Sequence, residues 1–105
     1  MSVMEKDELR VIDSRSARRY ELQLGEEVVG FIAYHPQNGS LVLVHTEVDP
    51  AFEDRGFGSR LVAGALEDIR ARGLSIVPVC PFVSSYLRRH PEDADIVAGH
   101  PAASA

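Results

Sequence analysis

The run LVLVHTEVDPAFEDRGFG, residues 41–58, decides how this chain is read. Its first eight residues are mostly the apolar and β-branched types that strands favour. Asp49-Pro50 ends that strand, and Arg55-Gly56-Phe57-Gly58 opens a helix. A helix start carries unpaired N–H groups and about half a positive charge, so a strand, glycine turn and helix in this order suit a phosphate or diphosphate. Gly56 and Gly58 would let an anion approach the backbone with no Cβ in the way. Two other phosphate loops are excluded. A dinucleotide fingerprint needs a third glycine where Leu61 stands, and a Walker loop needs a Gly-Lys-Ser/Thr that is missing. Strict alternation puts Leu41, Leu43, His45 and Glu47 on one face of the strand. Val42, Val44, Thr46 and Val48 fall on the other, which is expected to be core. His45 and Glu47 then neighbour each other and can do proton chemistry; the plainer reading is a surface histidine beside a surface glutamate.

Outward from this run, residues 18–24 alternate, with Tyr20, Leu22 and Leu24 against Arg19, Glu21 and Gln23. Residues 27–35 form a further strand, joined to the next by Pro36-Gln37-Asn38-Gly39, whose Asn-Gly tolerates the positive φ of a tight hairpin. Residues 10–13 are a short strand or its edge. Leu61, Val62, Ala65, Leu66 and Ile69 make one stripe of a helix over 57–72, with Asp68 and Arg72 paired four apart and Gly73 ending it. Gly64 costs this helix about 1 kcal/mol against alanine, which marks close packing on a strand. A strand over 75–79 follows, then a helix from Pro81 to residue 90, stopped by Pro91. The fold class is α+β: antiparallel strands, then helix, strand, helix. Residues 1–9 are expected to be a polar leader, 10–97 a single domain and 98–105 a loose tail.

Bulk properties narrow the function. A chain of 105 residues is one domain by default, and its 45% hydrophobic content suits a globular core. The net charge of −5 disfavours a general nucleic-acid binder. Cys80 is the only cysteine, so no intrachain disulfide forms, which suits a reducing cytoplasm. The N-terminus lacks the apolar centre of a signal peptide, and no stretch nears the ~20 apolar residues of a membrane helix.

Three residues near the second helix carry chemistry. Cys80 sits at its N-cap, where the helix favours thiolate, though a lone cysteine is as often a small buried apolar residue. Tyr86, two turns in, has a hydroxyl able to protonate a leaving group, or is an aromatic packed with its tip wet. Arg88 and Arg89 could steady phosphates or simply answer the helix dipole. His90 and His100 show no partner pattern.

The segments VHTEV, RGFGSRLVAGALEDIRARGL, VPVCPFV and SYLRRHPE together resemble the GNAT acetyltransferase superfamily. They are similar above all to its minimal-sized branch, which includes bacterial YidJ-like proteins and N-acetyltransferase domain-containing protein 1 of animals. The resemblance spans residues 10–97. It implies a small GNAT-like fold, a mostly antiparallel sheet with a V-shaped splay and two main helices. It implies an acetyl-CoA-dependent N-acetyltransferase acting on a primary amine of a protein or small molecule. The diphosphate of acetyl-CoA would lie on the backbone of Arg55, Gly56, Phe57, Gly58 and Ser59. The pantetheine arm would run between the splayed strands, past Glu47 and Val48. His45 and Cys80 match residues proposed for the active site of this branch, and Tyr86 matches the tyrosine that protonates the CoA thiolate in many relatives. Either His45 activates the amine directly or Cys80 takes the acetyl group first. Glu53 stands where the superfamily has Gln or Arg, and Asp54 where the branch often has Gly. No metal or nucleic acid is expected, and the chain is expected to be a cytoplasmic monomer or weak dimer. The alternative function is a non-catalytic acyl-CoA-binding or interaction module.

Overall fold

The alternating segments of the N-terminal half pair into hairpins. In the computed structural model, which describes residues 8–99, β1 (Leu9–Ser14), β2 (Arg19–Leu24), β3 (Glu27–Gln37) and β4 (Ser40–Val48) form an antiparallel meander. Most of the expected leader and tail, including His100, lies outside the described residues. Asn38 and Gly39 close the β3–β4 hairpin with φ of 32° and 80°, the doubly positive pair of a primed turn. Chain direction then forces a crossover. β4 leads through a 3₁₀ turn (Pro50–Arg55) into α1 (Phe57–Ala71), which returns the chain to β5 (Ser75–Pro78), parallel to β4. The spatial order is the chain order, β1 to β5. α2 (Pro81–Arg89) and a second 3₁₀ turn (Pro91–Ile96) follow. That second turn has no helical period in the sequence; it forms because Ile96 is buried and Val97 bridges to Ile76 on β5.

The stripe Leu61, Val62, Ala65, Leu66 and Ile69 is buried against Tyr20, Leu22, Ile32 and Leu43 of the sheet. Gly64 is the contact point with β1. A Cβ there would stand 2.5 Å from a Val11 methyl and 2.7 Å from its Cβ.

The expected faces of β4 are corrected by a bulge. Ala33 pairs with His45 and Tyr34 with Leu43, so Val44 has no partner across the ladder. One extra residue reverses every face beyond it. Leu41 and Leu43 are buried, contrary to strict alternation, while His45 and Glu47 turn to the sheet face away from α1. Thr46 lies opposite the fully buried Ile32.

A polar network ties the far end of the sheet to α1. Tyr34 donates to Asp13 (2.5 Å), Tyr20 to Asp68 (2.6 Å), and Arg72 reaches Asp13, Tyr20 and Asp68. Burial and then the bond to Asp13 push the Tyr34 phenol up to about 12; burial and the bond to Asp68 also raise Tyr20. A phenol raised in the fold stabilises it below its unfolded pKa of about 10 and loses that contribution as pH rises through the folded value.

Unfolding free energy should therefore fall between pH 10 and 12, with Tyr34 alone giving a slope of up to about 1.4 kcal/mol per pH unit. Urea melts of Tyr34→Phe should show a shallower slope; an identical slope would refute the assignment. Gly64→Ala gains about 1 kcal/mol of helix propensity but meets an overpacking cost of about 1–3 kcal/mol against Val11. A net loss near 1 kcal/mol is expected, and adding Val11→Ala should reverse its sign relative to the Val11→Ala parent.

Candidate active site

The cleft arises where β4 and β5 part. Their pairing ends at Leu43 and Pro78, and Pro78 has no N–H to extend the ladder. Val79 and Cys80 then both donate to the Leu43 carbonyl, at 3.0 and 2.9 Å, as the chain turns into α2. The last residues of β4 are left without a strand on that side among the described residues.

A cleft of about 740 Å³ opens there. Thr46, Glu47 and Val48 form its β4 wall, Gly56, Gly58 and Ser59 its α1 end, and Phe82 and Arg89 its α2 wall, with Pro50 at the turn. Asp49 caps the 3₁₀ turn by accepting from the Ala51 N–H (3.0 Å), and Gly56 takes φ 74° to start α1. The two glycines do different work. Nothing stands within 4 Å of a Cβ built on Gly56, whose need is the positive φ. A Cβ on Gly58 would stand 2.5 Å from the Phe82 ring, so that space already belongs to an aromatic from α2. This corrects the expectation that both glycines simply clear the way for an anion.

The expected residues divide. Glu47, Val48, Gly56, Gly58 and Ser59 line the cleft. The side chains of Arg55 and Phe57 turn elsewhere: Arg55 lies over the Phe52 ring, and Phe57 is buried in a stack on Phe52 at 5.3 Å. His45 Nε2 is 2.8 Å from Glu47 Oε2, and both side chains are more than half exposed, at 58% and 63%. Cys80 is only 3% exposed, with its Sγ 3.1 Å from Thr46 Oγ1 beneath the β4 wall. The Tyr86 ring belongs to the core and stacks on His90 at 4.1 Å. Burial first, then Asp93 and Glu92, raise its phenol, which keeps it in the acid form. Thr46, Pro50 and Phe82 were not visible as lining residues. The bulge that turns Thr46 inward and the contact that seats Phe82 on Gly58 are both tertiary. Among the described residues no cluster of three or more His, Cys, Asp or Glu is placed to hold a metal, and no helix is long and apolar enough to cross a membrane.

A smaller cavity of about 260 Å³ sits at the other end of the sheet, beside the Asn38-Gly39 hairpin. Two of its three arginines, Arg15 and Arg72, are already bonded to Asp13.

The family model for the GCN5-related N-acetyl-transferases matches residues 19–96, which covers β2 through the last 3₁₀ turn and so the whole cleft. The chain belongs to this family. Its activity is therefore that of an N-acetyltransferase. Solved structures share the fold of this acetyltransferase. A GCN5-like protein from Staphylococcus aureus, solved by NMR, is 20% identical with a TM-score of 0.65, over 95% of this chain and 93% of that one. Ard1 from Thermoplasma volcanium is 20% identical with a TM-score of 0.53, over 78% of this chain and 57% of its own. A GNAT-family protein from Desulfovibrio desulfuricans is 18% identical with a TM-score of 0.51, over 72% and 52%.

In this acetyltransferase the burial of Cys80 has a direct consequence. Native protein should react with an aromatic disulfide reagent at least about a hundredfold more slowly than urea-unfolded protein, since a buried thiol is inert until the site opens. Equal rates would mean that the Thr46–Cys80 contact does not hold in solution.

Proposed function

We propose that this protein transfers the acetyl group of acetyl-CoA directly to a primary amine, of a protein or a small molecule, with His45 as general base. The observation that carries this reading is the bulge at Val44. It turns the bonded pair His45–Glu47 to the open sheet face beside the cleft and leaves the thiol of Cys80 beneath the wall. The diphosphate would rest on the backbone N–H groups at the start of α1, and the pantetheine arm would follow the free edge of β4 past Glu47 and Val48.

In the proposed step the amine nitrogen attacks the thioester carbonyl carbon. With Nε2–H donated to Glu47, Nδ1 of His45 is the free nitrogen and takes the proton from the amine. Backbone N–H groups along the unpaired stretch of β4 stabilise the oxyanion. The C–S bond then breaks, the amide product forms, and the CoA thiolate takes a proton from Tyr86 or from solvent. Tyr86 brings a phenol that stays protonated, though it packs in the core behind the cleft and is not one of the described residues that line it. The larger acetyltransferases insert helices between their first strands, and β1 and β2 here are joined by a short turn, which favours an open acceptor site. Membership of the minimal YidJ-like branch and a cytoplasmic setting fit the same reading.

The test separates binding from transfer. His45→Ala should leave acetyl-CoA affinity, measured by calorimetry, within about twofold of wild type. It should lower kcat on a panel of primary amines by about 10²–10⁴, the usual contribution of a general base. Cys80→Ala should keep most of its activity, whereas a covalent route would abolish it. Saturable acetyl-CoA binding with no transfer to any amine, in wild type, would favour a non-catalytic acyl-CoA-binding module instead.

A further inference from the structure

We propose that Arg89 is the side-chain counter-charge for the cofactor diphosphate, closing on it from α2 while the start of α1 holds it from the other side. This rests on the acetyl-CoA reading above and assigns a residue that the reading does not need. Among the described residues two charged side chains line the cleft, Glu47 and Arg89. Glu47 is bonded to His45, and the sequence just before Gly56 holds two more acidic residues, Glu53 and Asp54. A diphosphate entering this cleft adds further negative charge, which half a charge from one helix end offsets only in part. Among the described residues, Arg89 is the only cation lining the cleft.

Among the described residues Arg89 also carries no ion pair, whereas several other arginines of the fold do. Arg19 is bonded to Glu21, Arg70 to Asp93 and Asp95, and Arg72 to Asp13 and Asp68. Arg89 donates from Nη1 to Ser85 Oγ at 3.1 Å, one helical turn back. No carboxylate of the described residues stands within ion-pair reach of it. That hydrogen bond orients the guanidinium without neutralising it, and a planar guanidinium suits paired phosphate oxygens. Arg88, one position earlier on the same helix end, is exposed like Arg89 but does not line the cleft. A role limited to the helix dipole would make the two arginines equivalent.

The experiment is a calorimetric titration of wild type, Arg89→Gln, Arg89→Lys and Arg88→Gln with acetyl-CoA, acetyl-dephospho-CoA and S-acetylpantetheine. Arg89→Gln should weaken the first two ligands by about 10- to 100-fold, as loss of one charge-assisted contact does, and leave S-acetylpantetheine unchanged. Arg89→Lys should recover part of the loss, and Arg88→Gln should match wild type. The affinity of Arg89→Gln for acetyl-CoA should also depend less on salt than that of wild type. An equal loss for all three ligands, a loss confined to the ligand with the 3′-phosphate, an unaltered salt dependence or an unaltered affinity would each overturn the assignment. Wild type that binds none of the three would instead overturn the acetyl-CoA reading, and Arg89 with it.

Discussion

One unpaired residue, Val44, organises the functional half of this molecule. A bulge adds a residue to one strand and so exchanges the faces of everything that follows. Before it, Leu41 and Leu43 feed the core; after it, His45 and Glu47 face outward and Thr46 inward. The same region is where β4 and β5 separate, because Pro78 cannot continue the ladder and the next two N–H groups converge on the Leu43 carbonyl. The bulge and the parting together make a strand edge with free backbone groups beside a histidine. Neither alone would produce that combination.

The cleft stays open because its walls are held from outside. α1 is fixed to the sheet by its apolar stripe and by the close approach of Gly64 to Val11, and the Asp13, Tyr20, Tyr34, Asp68 and Arg72 network locks its far end. Arg70, bonded to Asp93 and Asp95, ties α1 to the turn after α2. Rigid attachment at these distant points lets the start of α1 present backbone N–H groups to the cleft. Phe82, 38% exposed on α2, fills the notch at Gly58 and joins the two helices at the cleft floor.

Charge shapes the site as much as geometry does. The chain is acidic overall, and carboxylates flank the proposed anion cradle in sequence. An acidic surface attracts amines and repels phosphates, so a protein that handles both must separate them in space. The outward face carries His45, the cleft carries Arg89 and the helix start, and Glu47 stands at the border, bonded to His45 and lining the cleft. The bulge is what divides these two environments along a single strand.

Much of this was legible in the sequence. Element order, the Asn38-Gly39 hairpin, the stripe of α1, the stop at Gly73 and the tight contact at Gly64 follow from local rules, since turn chemistry and helical spacing act over a few residues. The segments RGFG and VPVCPFV also pointed to the acetyltransferase family, which the match over residues 19–96 shows. The faces of β4 were not legible. A bulge depends on the register chosen by the partner strand, and alternation alone predicts the opposite face for Leu41 and Leu43. The burial of Cys80 against Thr46, the ring of Phe82 over Gly58 and the approach of Arg89 to the helix start were likewise decided by tertiary structure. Each joins residues more than twenty positions apart, and only packing brings such residues together.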